Sequence, residues 1–349
     1  VAADSAAGAA SRPFAMGFVP FPYAATADAV KQVREYIAAD ADLIVMHFDS
    51  GIPWQAAMDN SPFPQALRDD VAHAVASAPA GHVRVLQFTP ISFMRDGLAL
   101  EPGTGGLASP WNGRDFNHPD VEEAFLRYAR WLIAQTGPDY VAYGIEANLL
   151  LQNGPAHWQA YLEFLARVYP ALRAEHPGIP FFISIQADAL FANHAAQIAG
   201  IKQLLPYTDI LAVSAYAYTG SGGHVASVPA GLFKDIGALD ASKPFAISET
   251  GWPAEDVGPP APGTIPSDET EQAAWLARVL GECQTHRCAF INWFVVRDYD
   301  QLFDQLYADG DPAAAALARL WRDIGLYAGD GQERPALAMW REWLARPRE

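Results

Sequence analysis

The feature that most constrains this chain is a repeated alternation. Short β-rich runs are followed, again and again, by longer stretches with helical periodicity. Eight strand candidates stand out: Phe14–Val19, Leu43–Phe48, Val83–Phe88, Tyr140–Glu146, Phe181–Gln186, Ile210–Tyr216, Phe245–Glu249 and Ala289–Phe294. Between them, apolar residues recur at three-and-four spacing, as with Val121, Ala124, Phe125, Tyr128 and Leu132, or Tyr161, Leu162, Leu165 and Val168. Eight strands, each followed by a helix, is the count of an α/β fold of the single (β/α)8 barrel type. A doubly wound open sheet is the competing architecture. It usually carries a Gly-rich phosphate turn after its first strand, whereas here that strand runs into Pro20-Phe21-Pro22-Tyr23.

Loop lengths agree with a barrel. Connections entering strands are short, such as Ser242-Lys243-Pro244, while those leaving them are long: Thr89–His118, Ala217–Pro229 and Thr250–Asp268. Leaving loops build the active-site face of a barrel. With 349 residues, 51% of them hydrophobic and 18% charged, the chain can bury one large core. The expected organisation is a flexible mature N-terminus over residues 1–12 and one catalytic barrel over 13–349. The Ala-, Gly- and Ser-rich start without Met reads as a cleaved export signal, hence a secreted or periplasmic protein. No apolar run reaches the roughly 18 residues of a membrane helix. A net charge of −17 disfavours nucleic acid. The expected state is a monomer. Cys283 and Cys288 flank a short turn and either form a local bridge or stay free thiols.

Two glutamates close apolar strands. Val141-Ala142-Tyr143-Gly144-Ile145 leads to Glu146, and Phe245-Ala246-Ile247-Ser248 leads to Glu249. Strands four and seven face one another across an eight-stranded barrel, so both carboxylates can converge above its axis. Side-chain alternation puts Glu146 on one face with Gly144 and Ala142. Such a pair suits glycosidic cleavage, in which one carboxyl is protonated for the leaving oxygen and the other attacks the anomeric carbon.

At these residues the sequence resembles glycoside hydrolase clan A. Gly144-Ile145-Glu146-Ala147-Asn148 looks like the acid/base segment of the endo-β-1,4-galactanases, and Asp209–Tyr218 is similar to their sixth strand. Ser248-Glu249-Thr250-Gly251-Trp252-Pro253 looks like the nucleophile motif of the β-1,3-glucanases. The resemblance implies a retaining hydrolase acting on β-linked glycans without cofactor or metal, with Glu146 as acid/base and Glu249 as nucleophile. It also implies that Tyr216 bonds the nucleophile and that Trp293 is a sugar platform. Ile145 stands where the clan usually has Asn, so either Asn148 takes that residue's contact with the sugar or the contact is missing. The second strand lacks an Arg seen in many clan members. Further substrate-binding candidates are Trp252, Trp54 and Trp111 as aromatic surfaces, and His47, Asp49 and Gln186 as hydroxyl partners. Transglycosylation by the same glutamates is a close variant. A non-catalytic carbohydrate-binding barrel and a metal-dependent hydrolase are the rivals from other classes, the latter without a clustered His signature.

Overall fold

A computed structural model describes residues 10–258, 263–307 and 312–349. Eight parallel strands close into a barrel in sequence order: β1 (Ala15–Val19), β2 (Leu43–Phe48), β3 (Val83–Phe88), β4 (Tyr140–Gly144), β5 (Phe181–Gln186), β6 (Leu211–Ala215), β7 (Phe245–Thr250) and β8 (Phe290–Val295). One principal helix follows each strand: α1 (Ala27–Asp40), α2 (Gln65–Ala76), α3 (Pro119–Thr136), α4 (Trp158–Glu175), α5 (Ala189–Leu204), α6 (Leu232–Gly237), α7 (Glu269–His286) and α8 (Pro335–Leu344). The fold is a single (β/α)8 barrel. Among the described residues no helix is long and apolar enough to cross a membrane.

Local chemistry sets the helix starts. Thr26 caps α1 by accepting from the Ala29 N–H, and Asp268 caps α7 by accepting from Thr270 and Glu271. Pro119 opens α3, and Gly137 ends it in the left-handed conformation at φ 54°.

The core has two layers. Ala15, Val19, Leu43, Val45, Val85, Ala142, Phe182, Ala212, Ala246 and Phe290 fill the barrel. A larger shell, including Phe18, Ile44, Tyr143, Ile247 and Trp293, packs between strands and helices. That split follows the alternation of side chains along each strand.

Two expectations are corrected here and one open alternative is settled. Arg12, placed in the flexible lead, is 3% exposed and pairs with Asp42 at 2.8 Å, while residues 1–9 lie outside the described set. Residues 12 and 348 form a parallel bridge, and Arg287 reaches Glu349, so the two ends are tied together beneath the barrel. Gly144 does not share the inner face with Glu146: a Cβ there would lie 2.6 Å from the Tyr161 hydroxyl on the outer side. Cys283 and Cys288 are both buried and unbridged, with the Cys288 N–H donating to the Cys283 carbonyl at 2.9 Å.

The segment returning after β8 is locked by a buried arginine. Arg334 is 4% exposed and contacts Asp298, Glu269 and Glu255 at 2.5, 3.1 and 2.8 Å. Asp298 also accepts from the Gly325 N–H at 2.7 Å. Removing one member of a buried charge group leaves the other desolvated and unpaired, which costs about 3–5 kcal/mol. Arg334→Met is therefore expected to lower unfolding free energy by about that amount. Denaturant titration beside the wild type checks this, and a loss below about 1 kcal/mol would contradict it.

Candidate active site

Both glutamates stand where their strands depart from regular pairing. The β4–β5 register shifts between Ala142 and Gly144, and Glu146 follows at φ 50°, in the left-handed region. Its backbone is secured on both sides: its N–H donates to Ser184 Oγ at 2.9 Å, and its carbonyl accepts from Leu149 at 3.0 Å. In β7, plain alternation from the inward Ala246 would send Glu249 outward. Register shifts against β6 and β8 absorb Ser248 as an extra residue. Ser248 Oγ turns to the Val213 carbonyl, Thr250 faces Trp275 of α7, and Glu249 enters the mouth.

There, Glu249 Oε2 accepts from the Tyr216 hydroxyl at 3.3 Å, while Oε1 lies 3.6 Å from His47 Nδ1 and has no hydrogen-bond partner within the protein. His47 Nδ1 instead bonds Gln87 Oε1 at 2.9 Å. Gln87 Nε2 donates to the Ser248 carbonyl, so its oxygen is the acceptor and His47 Nδ1 carries the proton. Burial lowers the His47 pKa and keeps the ring neutral.

Glu146 Oε2 accepts from Arg95 Nη2 at 3.3 Å, and Arg95 also grips Asp49 at 2.7 and 3.1 Å. Burial raises the pKa of both glutamates, most strongly at Glu249, where the Glu146 charge adds to the effect. The Arg95 guanidinium opposes the rise at both, and Tyr216 opposes it at Glu249. A fourth carboxyl lies nearby. Asp188, below the β5 lip, accepts from the Tyr216 N–H at 2.7 Å, and its pKa is pushed up to about 7 by burial, with the Glu146 charge contributing.

The structure thus brings Glu146, Glu249, Tyr216, His47 and Asp49 together. Gln186 follows Phe182 and Ser184 on the inner side of β5, at the same end of the barrel. The other expected residues are elsewhere. Trp293 is fully buried on the outer side of β8, with Nε1 bonded to the Ile324 carbonyl; its neighbour Phe294 faces the mouth, 5.6 Å from His47 and 6.1 Å from Tyr216. Trp252 is equally buried, bonded to Ser267 and packed on Trp275. Trp54 and Trp111 stack on each other beneath their loops, at 0% and 1% exposure. Asn148 is also consumed: its amide bonds the Gln186 backbone and Gln197, so it does not replace the Asn missing at Ile145.

Besides Phe294 and Gln87, three further residues were not anticipated. Arg95 comes from the β3 loop, where no spacing rule marks it. Phe21 packs 5.5 Å from Phe294, and Trp321 packs 5.9 Å from Tyr216. Phe21 closely follows β1, which was the available signal; Trp321 lies far beyond β8, past two helical stretches, and carried none.

Metal chemistry was also weighed. Among the described residues one acidic trio has ligand atoms close together: Asp298, Asp300 and Asp323. Arg322 and Arg334 already occupy it, the first at 2.8 Å from Asp323 and the second at 2.5 Å from Asp298.

No family model and no curated protein matches the chain. Solved structures do. A GH5_18 protein from Streptomyces cattleya in complex with GlcNAc aligns with a TM-score of 0.65 at 16% identity, covering 96% of this chain and 80% of that one. The Ignisphaera aggregans GH53 catalytic domain aligns at 0.59 and 17%, covering 89% and 87%. A Bacteroides uniformis β-glucuronidase aligns at 0.55 and 13%, covering 96% of this chain but 35% of that one. At such identities the likeness is one of fold. The resemblance to clan A glycoside hydrolases seen in the strand-end motifs extends, as architecture, over nearly the whole chain.

Proposed function

We propose that the chain is a retaining O-glycosyl hydrolase of clan A type acting on a β-linked oligosaccharide or polysaccharide. The observation that carries this is the pair of glutamates in one barrel mouth, Glu249 buried and Glu146 largely so, electrostatically linked and differently held: Glu146 by Arg95, Glu249 by Tyr216. Two carboxyls that each hinder the other's ionisation share a proton near neutrality. Burial favours the proton on Glu249 in the free protein, so the productive form, with the proton on Glu146, is the less populated of the two. Glu249 Oε1, without a partner in the protein, is then the attacking oxygen.

In the first step Glu249 bonds to the anomeric carbon as the glycosidic C–O bond breaks, and Glu146 passes its proton to the departing oxygen. In the second, Glu146 takes a proton from water, the water oxygen bonds to the same carbon, and Glu249 is released. Tyr216 holds the nucleophile in position. Neutral His47, with Asp49, Gln186 and Phe294, would contact the sugar. β-1,4-Galactan and β-1,3-glucan are the substrates to test first, on the sequence motifs. Manβ1-4GlcNAc joins them because a GH5_18 neighbour is complexed with it.

A 2-deoxy-2-fluoro-β-glycosyl fluoride of the matching sugar tests the chemistry. The wild type is expected to gain the mass of one fluoroglycosyl unit on the Glu249 peptide, and Glu249→Gln to gain none. Glu146→Gln is expected to lose about 10²–10⁴ in kcat on glycans with unactivated leaving groups. Absence of any adduct, with glycan affinity retained in Glu249→Ala, would favour a non-catalytic binding barrel.

The pH profile gives a second test. Activity falls at low pH as the pair gains a second proton and at high pH as it loses the one it shares. Burial raises both limbs above the ordinary carboxylate range. Arg95 pulls both down, so Arg95→Met is expected to move the alkaline limb of kcat/KM upward by about one to three pH units. An unmoved or lowered limb would contradict the assignment.

A further inference from the structure

The β3 loop does more than deliver Arg95. Residues Ser92 to Gly97 form a tightly bonded turn. Ser92 N–H donates to the Gly97 carbonyl at 2.9 Å, Arg95 N–H to the Ser92 carbonyl at 2.8 Å, and Asp96 N–H to Ser92 Oγ at 3.1 Å. Arg95 sits in the left-handed region at φ 57°, and its own guanidinium returns to the Ser92 carbonyl. Asn153, the last residue of the short helix Leu150–Asn153 that follows Glu146, donates to the Met94 carbonyl at 2.9 Å. The backbone of this turn is therefore held from inside and from the β4 side. Yet its tip exposes two adjacent large apolar side chains, Phe93 at 54% and Met94 at 60%. Such a display on a rigid turn costs solubility without contributing to the core.

Its position relative to the glutamates defines a use. The Phe93 ring lies 6.0 Å from the Arg95 guanidinium carbon, and that guanidinium bonds Glu146. Glu146 must touch the glycosidic oxygen, so the leaving sugar extends on its side of the mouth. The aromatic groups near Glu249, namely Phe294 and Phe21, border the opposite side, where the sugar bearing the anomeric carbon rests. From this geometry, and resting on the hydrolase reading above, we infer that Phe93 and Met94 form a platform for the leaving-side sugar. The C–H face of a pyranose covers the ring and thioether, and its hydroxyls remain in water. The same turn would then seat the leaving group and hold the charge that tunes its proton donor.

Two substrate types that differ only on the leaving side separate this from a general role. Tetrasaccharides, β-1,4-galactotetraose and laminaritetraose, fill both sides. The disaccharide fluorides, β-galactobiosyl and β-laminaribiosyl fluoride, keep the same two sugars before the scissile bond but expel only fluoride. The double variant Phe93→Ala/Met94→Ala is expected to lose about tenfold in kcat/KM on the tetrasaccharide, equivalent to about 1.4 kcal/mol, and to stay within about twofold of wild type on the fluoride. Phe93→Trp is expected to retain tetrasaccharide activity. Equal losses on both substrates, or no loss on the tetrasaccharide, would overturn the platform while leaving the hydrolase reading intact. A wild type that consumes none of the four compounds and takes no fluoroglycosyl label would overturn both.

Discussion

Two ionised carboxylates held side by side away from water need a cation or a shared proton to offset them. In this protein that cation is Arg95, itself almost wholly buried and shared between Asp49 and Glu146. The arrangement is a balance of opposites. Burial lifts the pKa values of both glutamates, helped by the Asp49 charge at Glu146 and by the Glu146 charge at Glu249, and the guanidinium limits the rise. Without Asp49, the Arg95 charge would bear on the glutamates undiluted. Without Arg95, three acidic groups would crowd one low-dielectric mouth. The loop carrying Arg95, the lip carrying Asp49 and the strand end carrying Glu146 are thus bound into one electrostatic unit.

Backbone irregularity delivers that chemistry. The strands are regular at the bottom of the barrel, where Leu43, Val45, Phe182 and Phe290 need only fill space. Irregular pairing appears where β4 and β7 approach the mouth. A bulge lets a strand end re-aim one side chain without disturbing the packing beneath it. Glu249 depends on this directly, since strict alternation would have pointed it at the helices.

The same fact explains what could be read in advance. Eight strands, their order and the two glutamates were legible, because apolar runs ending in a charge are a local signal. Three strands, Leu43–Phe48, Val83–Phe88 and Phe181–Gln186, match the sequence reading at both ends. Facing was less legible. Trp293 and Phe294 are adjacent, and one residue of register decides which meets the mouth. The tryptophans that looked like sugar surfaces serve instead as large wedges under long loops, each with its indole N–H bonded internally. Arg95 was illegible for another reason. Its role depends on a turn folding back across the barrel mouth, a tertiary event that leaves no periodic trace. Asn148 was plausible by type and wrong by contact, since its amide is spent joining the β4 exit to β5 and α5.

The seam between residue 12 and the last residues of the chain has its own consequence. It lies before β1, on the floor of the barrel, whereas Glu146 and Glu249 open at the roof. Anything appended at either end of this stretch would emerge at a common point on the far side from the chemistry. A partner module could therefore be grafted there, or the two ends joined and the circle cut elsewhere, with the cleft still open to a long polymer.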